Sequence, residues 1–281
     1  MPANVREILR ISGRAVLSRK RFYLPLGRSE GALIAMRGQS CYAMIFLLLL
    51  SAQSRAETAC VDSALLAHSS VSITRYFDNA ERTTRQFLVG IAGTGWFQSP
   101  TTIVTVEHVA IAMGLSTQDW KPVNFTFGAD TQSSSARIQR IAGRRAEKLA
   151  VLELQTAIPV ARRVEIRRSP LAPEQRLVTL AYPHEKPHVV GGRFVQYGTD
   201  GRLAGMALLE MYDGNNRLAI DHGASGAPVF DCEGRIAAVI STAMVQTFQT
   251  PFGVLRTSTA WGNPNVMSVP IQALTEFSQA E

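Results

Sequence analysis

From Val71 onward the chain consists of about a dozen short apolar or alternating runs, each closed by turn-forming residues. The clearest are Phe87 to Ala92, Ile103 to Val106, Val123 to Phe127, Leu149 to Leu154, Leu177 to Ala181, Met206 to Met211 and Arg235 to Ile240. They are too short for helices and show little 3.6-residue periodicity, so they predict strands. Pro228-Val-Phe230, the turn Asp231 to Gly234 and the run Ile236 to Ile240 read together as a hairpin. Only Pro270 to Phe277 reads as a short helix. The pattern is that of an all-β domain of barrels or sandwiches, a class whose single units commonly reach roughly 200 to 250 residues. No short-period repeat, low-complexity tract or metal-spaced His/Cys set interrupts it.

The first 56 residues follow a different pattern. Residues 41–52, CYAMIFLLLLSA, form an apolar run of twelve, short for a membrane span and suited to a secretory h-region. Ser54-Arg-Ala56 then places small residues three before and one before a cleavage after Ala56. Residues 1–56 are therefore expected to be a leader and 57–281 the working domain. The forty residues ahead of the run are long for an n-region, whereas Met36-Arg-Gly-Gln-Ser makes an ordinary one, so Met36 is the expected start of translation. A long leader or a retained single anchor are the alternatives.

Charge then changes meaning. The chain has 29 Lys and Arg against 22 Asp and Glu, a net +7, but residues 1–56 hold nine and two of these. The remainder carries 20 of each sign, so the high isoelectric point gives no argument for nucleic-acid binding. Two local clusters remain, Arg140, Arg144, Arg145 and Arg162, Arg163, Arg167, Arg168, and both read as solvated edges. Of the three cysteines Cys41 falls in the leader. Cys60 and Cys232 would meet an oxidising compartment, either as a disulfide or as two buried thiols.

Candidate chemistry centres on Ile220 to Ser241, IDHGASGAPVFDCEGRIAAVIS. A nucleophilic serine needs a tight turn that frees its hydroxyl, and backbone N–H groups facing the developing oxyanion. Gly223-Ala-Ser225-Gly-Ala-Pro228 has the small residues for it, with the Gly223 and Ser225 amides as donors, although such a stretch also serves as a plain turn. A second element lies upstream, Gly93-Thr-Gly95-Trp96 followed by Thr105-Val-Glu-His108-Val. The pair resembles the trypsin-like serine peptidases, particularly bacterial members, in which a G-S-G-F strand and T-A-A-H-V precede a later G-x-S-G-[GSA]-P. The order His before Ser, the turn Leu180-Ala-Tyr-Pro183 and Val269-Pro270 extend the likeness over roughly residues 70 to 277.

The resemblance implies a chymotrypsin-like fold of two antiparallel six-stranded β-barrels with a short C-terminal helix, joined near 162–173, with the cleft between them. It implies His108 as base, Ser225 as nucleophile and an aspartate just before an apolar strand to orient the imidazole. That strand is Leu149-Ala-Val-Leu152, yet the position before it is Lys148, which cannot accept an imidazole N–H. Glu147 is one residue early, and in an extended segment its side chain would turn to the other face unless a bulge or the end of a loop intervened. Asp119 and Asp130 are distant candidates. Glu107 departs from the small residue usual before the histidine and either helps bind the imidazolium or faces solvent. His68, His184 and His188 read as surface groups, while His222 is placed to line the cleft. The likeness puts the primary pocket at Ala219 and Ser241, Thr242 and Ala243, none acidic, which favours small or apolar side chains over Lys or Arg. Asp221 lies close to them, and Glu57 is an unusual N-terminal residue for a zymogen-type insertion.

The expectation is thus a secreted or periplasmic serine endopeptidase working through an acyl-enzyme on peptides or proteins. It would be a monomer, without cofactor, metal, nucleic acid or stable membrane association after leader cleavage. The rival is a catalytically impaired homologue that binds a peptide or protein in the same cleft, and Lys148 is the residue that keeps it open.

Overall fold

The short runs pair into two closed antiparallel barrels. The computed structural model describes residues 60–275 apart from 129, 160–162, 216–219, 251–252 and 259–263, all within one compact unit, Ser54–Glu281. The leader with its run at 41–52, the start at Met36, Glu57 and Arg162 lie outside the described residues.

The first barrel is β1 (Ser70–Tyr76), β2 (Gly90–Ser99), β3 (Thr102–Val106), β4 (Lys121–Phe127), β5 (Asp130–Ala142) and β6 (Leu149–Leu154), in the order β1-β2-β3-β6-β5-β4. The second contains β7 (Arg176–Ala181), β8 (His188–Tyr197), β9 (Ala207–Tyr212), β10 (Pro228–Asp231) and β11 (Ile236–Ala243). A separate hairpin, β12 (Val245–Thr250) with β13 (Gly253–Ser258), precedes β14 (Val266–Pro270), and the second barrel closes as β10-β11-β14-β9-β8-β7. Closure leaves neither barrel a free strand edge. Among the described residues three short helices accompany the first barrel: α1 (Ser63–Ser69), α2 (Asn79–Thr84) and α3 (Glu107–Ala112). The expected terminal helix is a 3-10 turn, Ile271–Leu274.

The apolar runs are continuous because both faces of many strands are buried. In β7, Leu177 and Ala181 point into the second barrel, while Val178 and Leu180 join a core continuous with that of the first. Strand β9 divides likewise, with Ala207, Leu209 and Met211 inside and Leu208 on the shared side. The barrels therefore meet across packed apolar surface. In the connection between them, residues 165–167 lie against β11, where Ile236 N–H donates to Glu165 O (2.8 Å) and Arg167 N–H to Ile236 O (2.8 Å).

Some expected boundaries move. Phe87 to Val89 are not strand: they follow α2 in a tight turn with Gln86 and Phe87 at φ 55° and 64°, and β2 begins only at Gly90, which pairs with Tyr76. Arg167 is not a solvated edge. Its guanidinium reaches Asp231 Oδ2 at 3.0 Å, and Asp231 is fully buried. Cys60 and Cys232 form a disulfide, Cα atoms 5.0 Å apart, that ties the segment before α1 to the β10–β11 turn.

Candidate active site

His108 stands on the first turn of α3, and both ends of that helix are anchored. The Glu107 N–H donates to Lys148 O (2.9 Å) at the start of β6. At the other end Arg85 donates to Ala112 O and Arg75 to Met113 O, each at 2.7 Å, so two cations complete carbonyls that the helix leaves open. A six-residue helix has little stability of its own. These tertiary contacts fix where His108 stands.

The segment 143–148 between β5 and β6 is irregular, and there Glu147 and Lys148 part company. Glu147 Oε2 lies 3.2 Å from His108 Nδ1. Lys148 Nζ turns to the opposite side, 3.8 Å from Glu107 Oε1. The two departures from the family pattern thus face each other. Glu147 meets the imidazole because it precedes the strand, where alternation does not govern its direction. Its carboxylate also accepts from Ser241 Oγ (3.0 Å), and Ser241 is buried on β11. Among the described residues, neither Asp119, with its backbone in a turn capped by Ser116, nor Asp130, at the start of β5, forms a hydrogen bond or ion pair with His108.

Ser225 lies in the turn before β10, on a cleft of about 670 Å³ that His108, His222, Gly223 and Thr242 also line. Its hydroxyl donates to Ser241 O at 2.7 Å rather than to His108. The backbone of this turn is almost fully committed. Carbonyl oxygens of His222, Gly223, Ala224 and Ser225 accept from His184 N–H, Thr94 Oγ1, Ala227 N–H and Thr94 N–H. The amides of His222, Ala224, Gly226 and Ala227 donate to Asp221 Oδ1, Asp221 O, Ile240 O and Ala224 O. Among the described residues, only the Gly223 and Ser225 amides of the stretch 222–227 have no acceptor. Backbone amides are rarely left unsatisfied, so a pair of them on one cleft marks a place for an anionic oxygen.

Two glycines make this turn possible. Gly223 has φ +95° and Gly226 φ +93°, left-handed values that side chains disfavour, and a Cβ on Gly226 would come within 1.9 Å of Thr94 O.

The family model described as the trypsin-like peptidase domain matches residues 93–239, more than half of the chain. This chain belongs to the trypsin-like peptidases. Peptides or proteins are accordingly its class of substrate, and the two-barrel fold is the one such a domain requires. No curated protein matches the sequence. Solved structures similar to it include the Rv3671c protease in an inactive form, at 15% identity and TM-score 0.50 over 77% of this chain and 90% of that one. Others are the active form of the Rv3671c protease from M. tuberculosis (15%, 0.49, covering 92% and 93%) and the serine endoprotease from Yersinia pestis (15%, 0.48, covering 77% and 64%). At this identity the likeness concerns fold alone.

The remaining candidates are placed as follows. Thr242 lines the cleft, Ala243 ends β11, and Ala219 lies outside the described residues. His222 borders the cleft. His184, read from sequence as a surface group, also borders it, and its Nε2 is 3.5 Å from Asp221 Oδ2. His68 on α1 and His188 at the start of β8 are exposed and do not line the cleft. Ser241 as a partner of Glu147 and Thr94 as a partner of the serine turn had no sequence signal beyond lying in recognisable strands.

Proposed function

We propose that the chain is a serine endopeptidase, secreted or periplasmic, with Ser225 as nucleophile, His108 as general base and acid, and Glu147 orienting the imidazole. The observation that carries this reading is the contact of Glu147 Oε2 with His108 Nδ1 on the cleft that also holds Ser225. With Nδ1–H directed at Glu147, the Nε2 lone pair faces the cleft and the carboxylate favours the imidazolium that forms on proton transfer. The Ser225 hydroxyl first turns from Ser241 O toward Nε2, an adjustment of the kind that substrate binding commonly completes.

Ser225 Oγ then adds to the peptide carbonyl carbon while its proton passes to His108. The carbonyl oxygen, now an oxyanion, is held by the Gly223 and Ser225 amides. Collapse breaks the C–N bond, and His108 returns the proton to the leaving amine. Water, deprotonated by His108, hydrolyses the resulting ester and frees Ser225. Residues 1–56 serve as the leader in this reading, and the Cys60–Cys232 disulfide agrees with an oxidising destination. Among the described residues no helix is long and apolar enough to cross a membrane.

The test is labelling of the purified full chain by a fluorophosphonate probe, beside Ser225→Ala, His108→Ala and Glu147→Gln. Labelling of the parent, its loss in the first two variants and strong slowing in the third are expected. A folded parent that fails to label would leave the cleft as a peptide-binding surface instead.

A further inference from the structure

Gly223 sits between two peptide planes, and a different contact holds each. The plane between His222 and Gly223 is fixed by the His184 N–H, which donates to His222 O at 3.0 Å. The bond is trans, as all described peptide bonds are, so the Gly223 N–H points the opposite way from that carbonyl. The plane between Gly223 and Ala224 is fixed by Thr94 Oγ1, which donates to Gly223 O at 2.6 Å. The same hydroxyl accepts the Tyr182 N–H at 3.0 Å. One side-chain oxygen therefore joins the serine turn to the Tyr182–Glu185 turn, whose His184 amide holds the other plane. The two turns are packed directly together, since a Cβ on Gly223 would come within 2.7 Å of Tyr182 O.

Thr94 itself cannot shift easily. It is fully buried on β2 of the first barrel, its N–H donates to Ser225 O (2.8 Å), and its carbonyl accepts Thr105 Oγ1 (2.7 Å). Rotation of the His222–Gly223 plane would swing its carbonyl toward the cleft and remove the Gly223 donor from the place where negative charge develops, and release of the Gly223–Ala224 plane would free the anchor beside it.

From this geometry we infer that Thr94 is a positioning residue for the oxyanion site, acting from the opposite barrel through its hydroxyl. The inference rests on the peptidase reading above. The first barrel thus contributes the base and also sets the donor geometry of the second.

The test compares Thr94→Val, which keeps the shape and removes the hydroxyl, with Thr94→Ser, which keeps the hydroxyl and removes a methyl. The readouts are kcat and KM for hydrolysis of a p-nitrophenyl ester of acetyl-alanine and the rate of fluorophosphonate labelling, with folding checked by circular dichroism. Loss of a whole oxyanion donor costs roughly 10²- to 10³-fold in turnover, so a displaced donor is expected to cost about 10- to 100-fold in Thr94→Val. KM should change less than about threefold, because only the charged transition state uses the donor, and Thr94→Ser should stay near the parent. Should Thr94→Val fail to fold, Thr94→Ser against Thr94→Cys makes the same comparison with a single atom changed. Unchanged kcat in Thr94→Val, or equal losses in the Ser and Val (or Cys) variants, would overturn the assignment and leave Thr94 a packing residue. A parent that neither labels nor turns over overturns the peptidase reading and this inference together, an outcome read from the parent alone.

Discussion

At the scale of single residues, the site turns on which way two neighbours face. Alternation in an extended segment turned Glu147 away from the imidazole unless a bulge or the end of a loop intervened, and a loop does end there. The direction of Glu147 depends on where β6 begins. Because the segment 143–148 is irregular, Glu147 reaches His108 Nδ1 while Lys148 pairs at 3.8 Å with Glu107. That pair is partly exposed and contributes little. Lys148→Ala is therefore expected to change kcat/KM for the acetyl-alanine ester by less than about threefold. Glu147→Gln should lower it by roughly two to four decades, the upper figure being the loss known when the orienting acid of such a site becomes an amide. Adding Lys148→Asp to Glu147→Gln should restore nothing, and recovery in that double variant would place the acid-binding position at 148 after all.

At the scale of elements, the hairpin that follows Ser225 is held by a buried ionic cluster. Asp231, at the end of β10, accepts from Arg167 (3.0 Å), from the Arg235 side chain (2.9 Å) and from the Glu233 and Arg235 amides (3.1 and 2.9 Å). Burial alone would raise its carboxyl, but these bonds and the Arg235 charge prevail and hold it below the ordinary 3.8. The sign of the pH effect follows. An acid with a depressed native pKa contributes stability that is complete above its unfolded value, declines as the pH drops below that value, and is gone below the native one. Urea midpoints measured from pH 7 down to about pH 3 should fall with acidity in the parent, and Asp231→Asn should flatten part of that fall. Asp231→Ala, which strands two arginines, should cost about 3 to 5 kcal/mol at neutral pH. In the sequence Arg167 belonged to a run read as a solvated edge, because nothing local indicates that a connecting segment will lie along β11.

At the scale of the whole molecule, the core of the first barrel continues onto the outer faces of β7 and β9 while the second barrel keeps its own interior cluster, and the chain is cross-linked across 172 residues by Cys60–Cys232. In the chain-entropy account a loop of that length restricts the unfolded state by about 5 kcal/mol, with about 2 to 5 the usual measured range. The Cys60→Ser, Cys232→Ser double variant should unfold at a lower temperature than the oxidised parent, by roughly 2 to 4 °C per kcal/mol lost. Scanning calorimetry with and without reductant checks it: reductant should bring the parent down to the variant and leave the variant unmoved.

The sequence by itself determined the all-β class, since runs of this length and alternation admit strands and little else. It also determined the Gly-rich turns around Ser225 and the strand leading to His108, because turn chemistry and strand periodicity are local. Strands with a largely exposed face left a weaker record: β5, where mainly Ser134, Ala136, Ile138 and Ala142 are buried, did not stand out among its polar neighbours. Only the tertiary structure decided that Glu147 rather than Lys148 meets the imidazole, that Ser241 supports that acid, and that Thr94 and His184 clamp the turn around Gly223. Each of these contacts joins residues dozens of positions apart. Their geometry is set by barrel closure and by the packing of one barrel against the other, and no local pattern encodes those distances.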